Sequence, residues 1–250
     1  MSLVSVIMPY YKKKAFIESS IQSILCQSYQ NFQIIVIDDE SSEESSKLLK
    51  KIANLDKRIN LMVNRINQGA GVSRNLAIEN ASGEYIAFCD CDDLWKDTKL
   101  DEQIKFMKNK NIDFSFTAYE VINENKDKMG FRTAKDMLSF NDLVKSCDIG
   151  LSTVVIKKKL FDNPRYRFAN LKTKEDYVLW LKLAKDGISL NGLNQNLACW
   201  RKNKQSLSSS VTQKILDGFR VYNSYLKFSI FKSLIYLFLL SINSTPMYLN

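Results

Sequence analysis

The run "YIAFCDCDDLW", residues 85–95, sets an apolar stretch from Tyr85 to Cys89 directly against three carboxylates, Asp90, Asp92 and Asp93. The apolar part reads as a buried strand. Clustered acids repel one another and resist burial, so a chain needs a reason to hold them at the end of a core strand. In an open α/β sheet that reason is position, because ligands bind just beyond the carboxyl ends of the strands. A second stretch repeats the arrangement. "FQIIVIDDESS" runs as a strand into Asp38 and Asp39.

The segments between and around these runs supply the alternation such a sheet needs. "LVSVIMP", Leu3 to Pro9, is a short β-rich run closed by proline. From Ala15 to Ser28, the spacing of Ile17, Ile21, Ile24 and Leu25 predicts an amphipathic helix. Ser45 to Leu55 reads as helix and "INLMVN" as a strand. "NQGAGVSRNLAIENASG" reads as a glycine-bearing loop entering a helix. Strand alternating with helix predicts a mostly parallel sheet covered on both faces. Right-handed crossovers then bring both acidic strand ends to one edge.

Beyond Leu100 the pattern loosens. Residues 101–109 predict a helix, 113–121 a strand, 124–129 a polar loop, and "LSTVVIKKKLF" another strand. Lys174 to Lys185 predicts a helix with an acidic start and a basic end, as the helix dipole prefers. Gln213 to Lys227 predicts a helix with Ile215, Phe219, Tyr222 and Leu226 on one face. No repeat or low-complexity linker marks a domain boundary.

The 250 residues include no histidine, so the commonest general base and the commonest transition-metal ligand are both missing. Acid–base or metal chemistry must use carboxylates, and oxygen-rich sites suit magnesium or manganese. The five cysteines, Cys26, Cys89, Cys91, Cys147 and Cys199, are odd in number and irregular in spacing, which reads as free thiols in a reducing compartment. The opening "MSLVSVIMPYY" has no basic start followed by a long apolar stretch, so a cytoplasmic protein is expected. The net charge is +9, with seven basic residues facing Asp217 alone after residue 200. Such a tail attracts phosphate or anionic lipid, or is simply a solvated surface.

Each acidic motif has two readings. Asp90, Cys91, Asp92 and Asp93 suit a divalent cation shared with a diphosphate, against an N-cap for a helix containing Trp95. Asp38 and Asp39 suit a base or ribose contact, against a turn or cap. Arg74, near a helix start, suits phosphate. The loop before it is neither a P-loop nor a dinucleotide fingerprint. Glu175 and Asp176 read equally as first-turn helix acids.

Taken together, these residues resemble the inverting glycosyltransferases of family 2, of bacterial polysaccharide and lipopolysaccharide type. The resemblance lies in residues 1–100, including the Pro-Tyr turn and the Asp-x-Asp-like motif. It continues in "KTKEDYVLWLKLA" and "CWRKNKQSLSSS" and is thin between. It implies a GT-A fold: a Rossmann-like, mostly parallel sheet flanked by helices, with a C-terminal helical extension. Residues 1–212 would form the catalytic domain, with 1–100 binding the nucleotide-sugar and 101–212 mainly facing the acceptor. Residues 213–250 would be the helical tail.

The resemblance also implies roles. Pro9, Tyr10 and Tyr11 would border the base. Asp39 would accept from a uracil N–H, supported by Asp38. Arg74 would lie near the base or diphosphate. Asp90 and Asp92 would meet ribose and a Mn2+ or Mg2+ ion, with Asp93 the alternative metal ligand. Asp176 would be the general base beside Glu175. Arg201 would belong to a loop over the donor phosphates. Relatives often carry histidine in that loop. Here lysine and asparagine stand there, so a loop-borne ligand is in doubt, and Lys202 or Lys204 would supply only charge. The donor would be a UDP-sugar and the acceptor a glycan or lipid-linked glycan.

"SLIYLFLLSI", residues 233–242, is too short to span a bilayer, which takes about 20 residues. With Lys227 and Lys232 before it, it suits a helix lying on the inner face of the cell membrane, or a buried or oligomer-forming helix. Two rival functions remain. A sugar-nucleotide-forming nucleotidyltransferase needs a glycine-rich loop after the first strand, where "PYYKKKAF" stands instead. A non-catalytic phosphate- or nucleic-acid-binding protein has no use for the acidic crevice, which repels a polyanion, so nucleic acid is not an expected partner.

Overall fold

The computed structural model describes residues 1–203, 210–243 and 247–248. Its first hundred residues follow the expected alternation. Strands β1 (Val4–Tyr10), β2 (Phe32–Asp38), β3 (Ile59–Val63) and β4 (Tyr85–Phe88) are joined by helices α1 (Lys14–Leu25), α2 (Glu43–Ala53) and α3 (Ala70–Asn80). The four strands are parallel in the order β3-β2-β1-β4, with Tyr10 opposite Asp38 and Ile7 opposite Phe88.

Past β4 the sheet changes character. Leu94–Trp95 forms β5, followed by α4 (Lys99–Asn109), β6 (Phe114–Ile122), β7 (Lys128–Arg132), the short β8 (Met137–Leu138) and a one-turn α5 (Phe140–Leu143). Next come β9 (Val155–Lys157), α6 (Glu175–Lys185) and the long β10 (Leu190–Arg201). Strand β9 pairs antiparallel with both β4 and β6, so the run of four adjacent parallel strands ends at β4. Strand β10 lies parallel to β6 and antiparallel to β5 and β8.

Side chains alternate across the pleat and feed two cores. Ile7, Ile35, Ile37, Ile86 and Phe88 face the side covered by α3, α6 and the C-terminal helices. Val6, Met8, Ile34, Val36 and Ala87 face the side covered by α1, α2 and α4. This explains why the first strands read as unbroken apolar runs: a sheet covered on both faces has no wet side.

Four expectations need adjusting. The segment read as one strand, "LSTVVIKKKLF", keeps only Val155–Lys157 extended, between 3-10 turns at Leu151–Thr153 and Lys158–Asp162. Strand β7 begins inside the expected polar loop. The aspartates cap no helix at Trp95, because Leu94–Trp95 pairs with β10.

The fourth adjustment is the tail. Its helix is α7 (Val211–Arg220), continued by a π-helical turn at Val221–Tyr225 and then α8 (Ile230–Asn243). The wider turn breaks the 3.6-residue register. Ile215 is exposed while Asp217, Gly218, Val221 and Tyr222 face inward. The segment is no loose appendage. Tyr222 and Leu240 join the main core, the buried Asp217 carboxylate accepts from the backbone N and hydroxyl of Thr173, and Tyr222 lies beside Tyr177.

Candidate active site

Strands β1, β2 and β4 end on one edge, as right-handed crossovers require. The backbone N of Asp39 donates to Tyr10 O at 2.9 Å, and that of Cys89 to Ile7 O at 3.1 Å. At the end of β1, Pro9 and Tyr10 are buried and only Tyr11 is exposed. Of the three residues expected to border a base, Tyr11 alone offers its ring to a ligand.

Asp38 and Asp39 split the two readings given to them. Asp38 serves the turn: its Oδ1 accepts from the backbone N of Glu40 and Ser41, and its Oδ2 from the hydroxyls of Ser45 and Ser46 in α2. Asp39 anchors the glycine loop. Its Oδ1 accepts from Asn64 Nδ2 at 2.7 Å and Gln68 N at 2.8 Å, and its Oδ2 from Asn67 Nδ2 at 3.0 Å and Gly69 N at 2.9 Å. Those four donors occupy the acceptor capacity of a carboxylate. A base N–H reaches Asp39 only by displacing one of them.

The loop held by Asp39 then enters α3 in a conformation its glycines permit. Gly69 has φ +86°, a left-handed value that favours glycine. At Gly71 a Cβ would stand 2.5 Å from Ala169 O, so the helix start presses against the segment before α6.

This contact delivers Arg74 to its place. Nη1 donates to Glu175 Oε1 and Nη2 to Asp90 Oδ1, both at 2.6 Å. Burial opposes the charge, but the two carboxylates outweigh it and hold the guanidinium protonated. Its plane lies over Phe168, which packs edge-on to Phe88 and Trp180. With both terminal nitrogens committed, Arg74 is a brace between acids.

Asp90, Asp92 and Asp93 differ sharply from one another. Asp90 keeps 36% of its side chain exposed while holding Arg74. The Cys91 side chain lies in the core, and burial pushes its thiol pKa well up, so it offers a ligand nothing. Asp92 Oδ2 takes Lys13 Nζ at 2.9 Å and Asn203 Nδ2 at 2.7 Å. Burial and then the neighbouring Asp90 raise the Asp92 pKa. Asp93 is turned inward. It accepts from Ser152 Oγ at 2.5 Å and from the backbone N of Arg201 at 2.8 Å. Of the pair expected to bind metal, Asp93 is thus a structural brace. Asp90 and Asp92 keep part of their side chains exposed, 36% and 15%.

Arg201 is likewise part of the wall. Nε donates to Asp92 O and Nη1 to Glu124 O, and the group stacks over Phe16. Lys204 and the rest of the serine-containing loop lie outside the described residues.

Asp176 begins α6 next to the Arg74–Glu175 pair. Its pKa rises to about 7, through burial first and then the neighbouring Glu175, against the pull of Arg74. The preceding Lys174 takes a left-handed φ of +63°, an uncommon value for a side-chain-bearing residue and one that clusters at functional sites. The neighbouring Asp90 adds a smaller push in the same direction.

Among the described residues no three His, Cys, Asp or Glu side chains are grouped to hold a metal ion. The oxygen-only donor set of Asp90 and Asp92 nevertheless fits a hard cation. Asn203 Oδ1, at the same place, is buried without a hydrogen-bond partner. Lys13, Ser152 and Asn203 were not legible as site residues. Lys13 is one of three consecutive lysines, and Ser152 is 59 residues from Asp93. Only the acids they hold marked the place.

The sequence pattern of Glycosyl transferase family 2 matches residues 5–170. The chain is 36% identical over 209 residues to the putative teichuronic acid biosynthesis glycosyltransferase TuaG of Bacillus subtilis, covering 83% of this chain and 82% of the relative. It is 37% identical over 227 residues to the Escherichia coli UDP-Glc:alpha-D-GlcNAc-diphosphoundecaprenol beta-1,3-glucosyltransferase WfgD, covering 90% and 87%. Its fold superposes on Staphylococcus aureus TarS 1-349 in complex with UDP-GlcNAc with a TM-score of 0.71 at 19% identity, over 95% of this chain and 70% of that one. The mannosyltransferase PcManGT of Pyrobaculum calidifontis, in complex with GDP-Man and Mn2+, gives 0.70 at 16% identity over 94% and 69%.

Proposed function

The chain belongs to glycosyl transferase family 2 and has the GT-A fold, and from that premise we propose that it transfers a sugar from a UDP-sugar to a hydroxyl of a lipid-linked glycan, inverting the anomeric centre. The observation that carries the reading is the Arg74 brace. It ties Asp90, at the end of β4, to Glu175, at the start of α6, and so sets Asp176 over the edge where the donor would lie.

Tyr11 offers the exposed aromatic face for the base. Asp90 and Asp92 would hold a divalent ion, which when bound supplies counter-charge to a leaving diphosphate. Asp176 takes the proton of the acceptor hydroxyl. A base works best with a pKa near the working pH, and about 7 meets that requirement. One displacement with a base opposite the leaving group inverts the centre. A UDP-sugar and a diphospholipid-linked acceptor are favoured because WfgD, similar over 90% of this chain, is named for both.

The tail supports a location on the inner surface of the cell membrane. Phe231, Leu234, Phe238 and Ile242 are exposed on α8, with Lys227 and Lys232 at its start. No helix among the described residues is long and apolar enough to cross a membrane, so α8 would lie on the surface.

The test is a screen of UDP- and GDP-sugars for metal-dependent nucleotide release in the presence of a diphospholipid-linked sugar. Release that needs a UDP-sugar and the acceptor together upholds the reading. Release with GDP-sugars alone, or none with any pair, overturns it.

A further inference from the structure

We propose that Asn203 is a direct ligand of the divalent cation, completing with Asp92 a site that Lys13 holds in the cation's absence. The proposal rests on the glycosyltransferase reading of the crevice and adds to it a residue from the opposite end of the chain. The Asn203 side chain is 8% exposed. Its Nδ2 donates to Asp92 Oδ2 at 2.7 Å, so the amide head stands at the aspartate cluster, 111 residues away in sequence. Its Oδ1 is buried and has no hydrogen-bond partner.

An orphaned buried carbonyl is rare and costly, and in a native protein it calls for an explanation such as an ion. Here the explanation is at hand. An amide carbonyl and a carboxylate are the donors hard divalent cations select. The same Asp92 oxygen already carries a cation, since Lys13 Nζ lies 2.9 Å away. The Lys13 ammonium balances the carboxylate but makes no hydrogen bond to Asn203 Oδ1. A metal ion can use both.

The position of Asn203 follows from its neighbours. Arg201 is pinned by its backbone N to Asp93 and by Nε to Asp92 O. Two residues further on, Asn203 reaches back to the cluster through its Nδ2. The ligand is therefore delivered by the end of β10, which is built before any cation arrives.

The experiment is Mn2+ binding, followed by loss of the free-ion electron paramagnetic resonance signal, with and without UDP. It uses the whole chain and the variants Asn203→Ala, Asn203→Asp and Lys13→Met. Asn203→Ala should weaken Mn2+ by tenfold or more while metal-free UDP affinity stays within about twofold, since outer-sphere changes alone reach 10–100-fold. Asn203→Asp decides between the two ends of the amide. If Oδ1 is the ligand, aspartate keeps the oxygen, adds charge and binds Mn2+ at least as tightly as the parent. If Asn203 matters only as the Nδ2 donor to Asp92, aspartate repels that carboxylate and binds Mn2+ more weakly, which overturns the proposal. Lys13→Met should tighten Mn2+ by removing its competitor, and weaker binding would refute the role given to Lys13. Should Asn203→Ala fail to fold, by thermal melt, Asn203→Asp carries the decision. A parent protein that binds UDP but no Mn2+ sinks this inference alone. One that binds neither sinks the glycosyltransferase site as well.

Discussion

Arg74 and Glu175 stand 101 residues apart in the chain and 2.6 Å apart in the fold. Arg74 reaches Asp90 with its other terminal nitrogen, so one buried cation fixes the spacing of two functional elements. Removing one partner of a buried pair leaves an uncompensated charge, at a cost of about 3–5 kcal/mol. Arg74→Ala should therefore lower the melting temperature markedly and abolish transfer. Arg74→Lys, with one ammonium for two carboxylates, should recover part of the stability and little of the transfer. Equal stability of parent and Arg74→Ala in a urea melt would contradict the brace.

Asp176→Asn should leave UDP binding and folding intact and cut transfer by about 10²–10⁴-fold, the usual worth of a positioned base. The pH dependence has a definite sign. With its pKa raised to about 7, Asp176 is protonated below that value, so parental transfer should fall as pH drops through 7. The folded state also binds more protons than the unfolded one between the ordinary carboxylate range and 7, so this group's contribution makes folding stability decline as pH rises through that window. The variant should lack that component. A parental rate that stays flat from pH 6 to 8 would reject the assignment.

Lys99 gives the opposite pH signature. It is fully buried, with Nζ on Gln103 Oε1 at 2.7 Å and over the Trp95 ring, and burial lowers its pKa to about 7. The unfolded chain holds its proton up to about 10.4. Stability from this group therefore rises with pH between 7 and that value, where the unfolded state binds more protons. Lys99→Met should stabilise the protein at neutral pH and flatten this rise, as read by denaturant melts at pH 7 and 9.

Removing the divalent ion should weaken UDP binding in the parent. Asp92→Asn should weaken Mn2+-dependent binding more than metal-free binding. The comparison is two calorimetric titrations with UDP, one in Mn2+ and one in chelator. Equal parental affinities would remove the ion from the site.

The exposed face of α8 should bind anionic phospholipid vesicles, and binding should weaken with salt, since each lysine near such a surface contributes about 1 kcal/mol. Phe231→Glu with Phe238→Glu should keep the protein in the supernatant and spare UDP binding. Substitution is the sound test here. Deleting residues 228–250 would also remove Leu240 from the core, where it is 2% exposed. If the double variant instead converts a stable dimer to monomer, α8 is a subunit interface.

Much of the fold of the first hundred residues was legible in the sequence. The strands up to Phe88 are short apolar runs, two of them ended by acids, and α1 to α3 follow from periodicity and loop residues, because these elements pack locally and in order. The two aspartate clusters were legible as a pair because strand order and crossover handedness determine which ends share an edge. The π-helical turn at Val221–Tyr225 was not, since nothing in a 3.6-residue pattern announces one extra residue in a turn.

What the sequence by itself determined is the inventory: carboxylates without histidine, strands ending in acids, and a Glu-Asp pair at a helix start. What only the tertiary structure decided is the partner each acid takes. Asp38 is spent on a turn, Asp39 on the glycine loop, Asp93 on Ser152 and Arg201, while Asp90 holds Arg74 and Asp92 holds Lys13 and Asn203. The reason is physical. A carboxylate's role is set by the donors that surround it, and here many of those donors come from strands and loops dozens of residues away, brought there by the packing of the two cores.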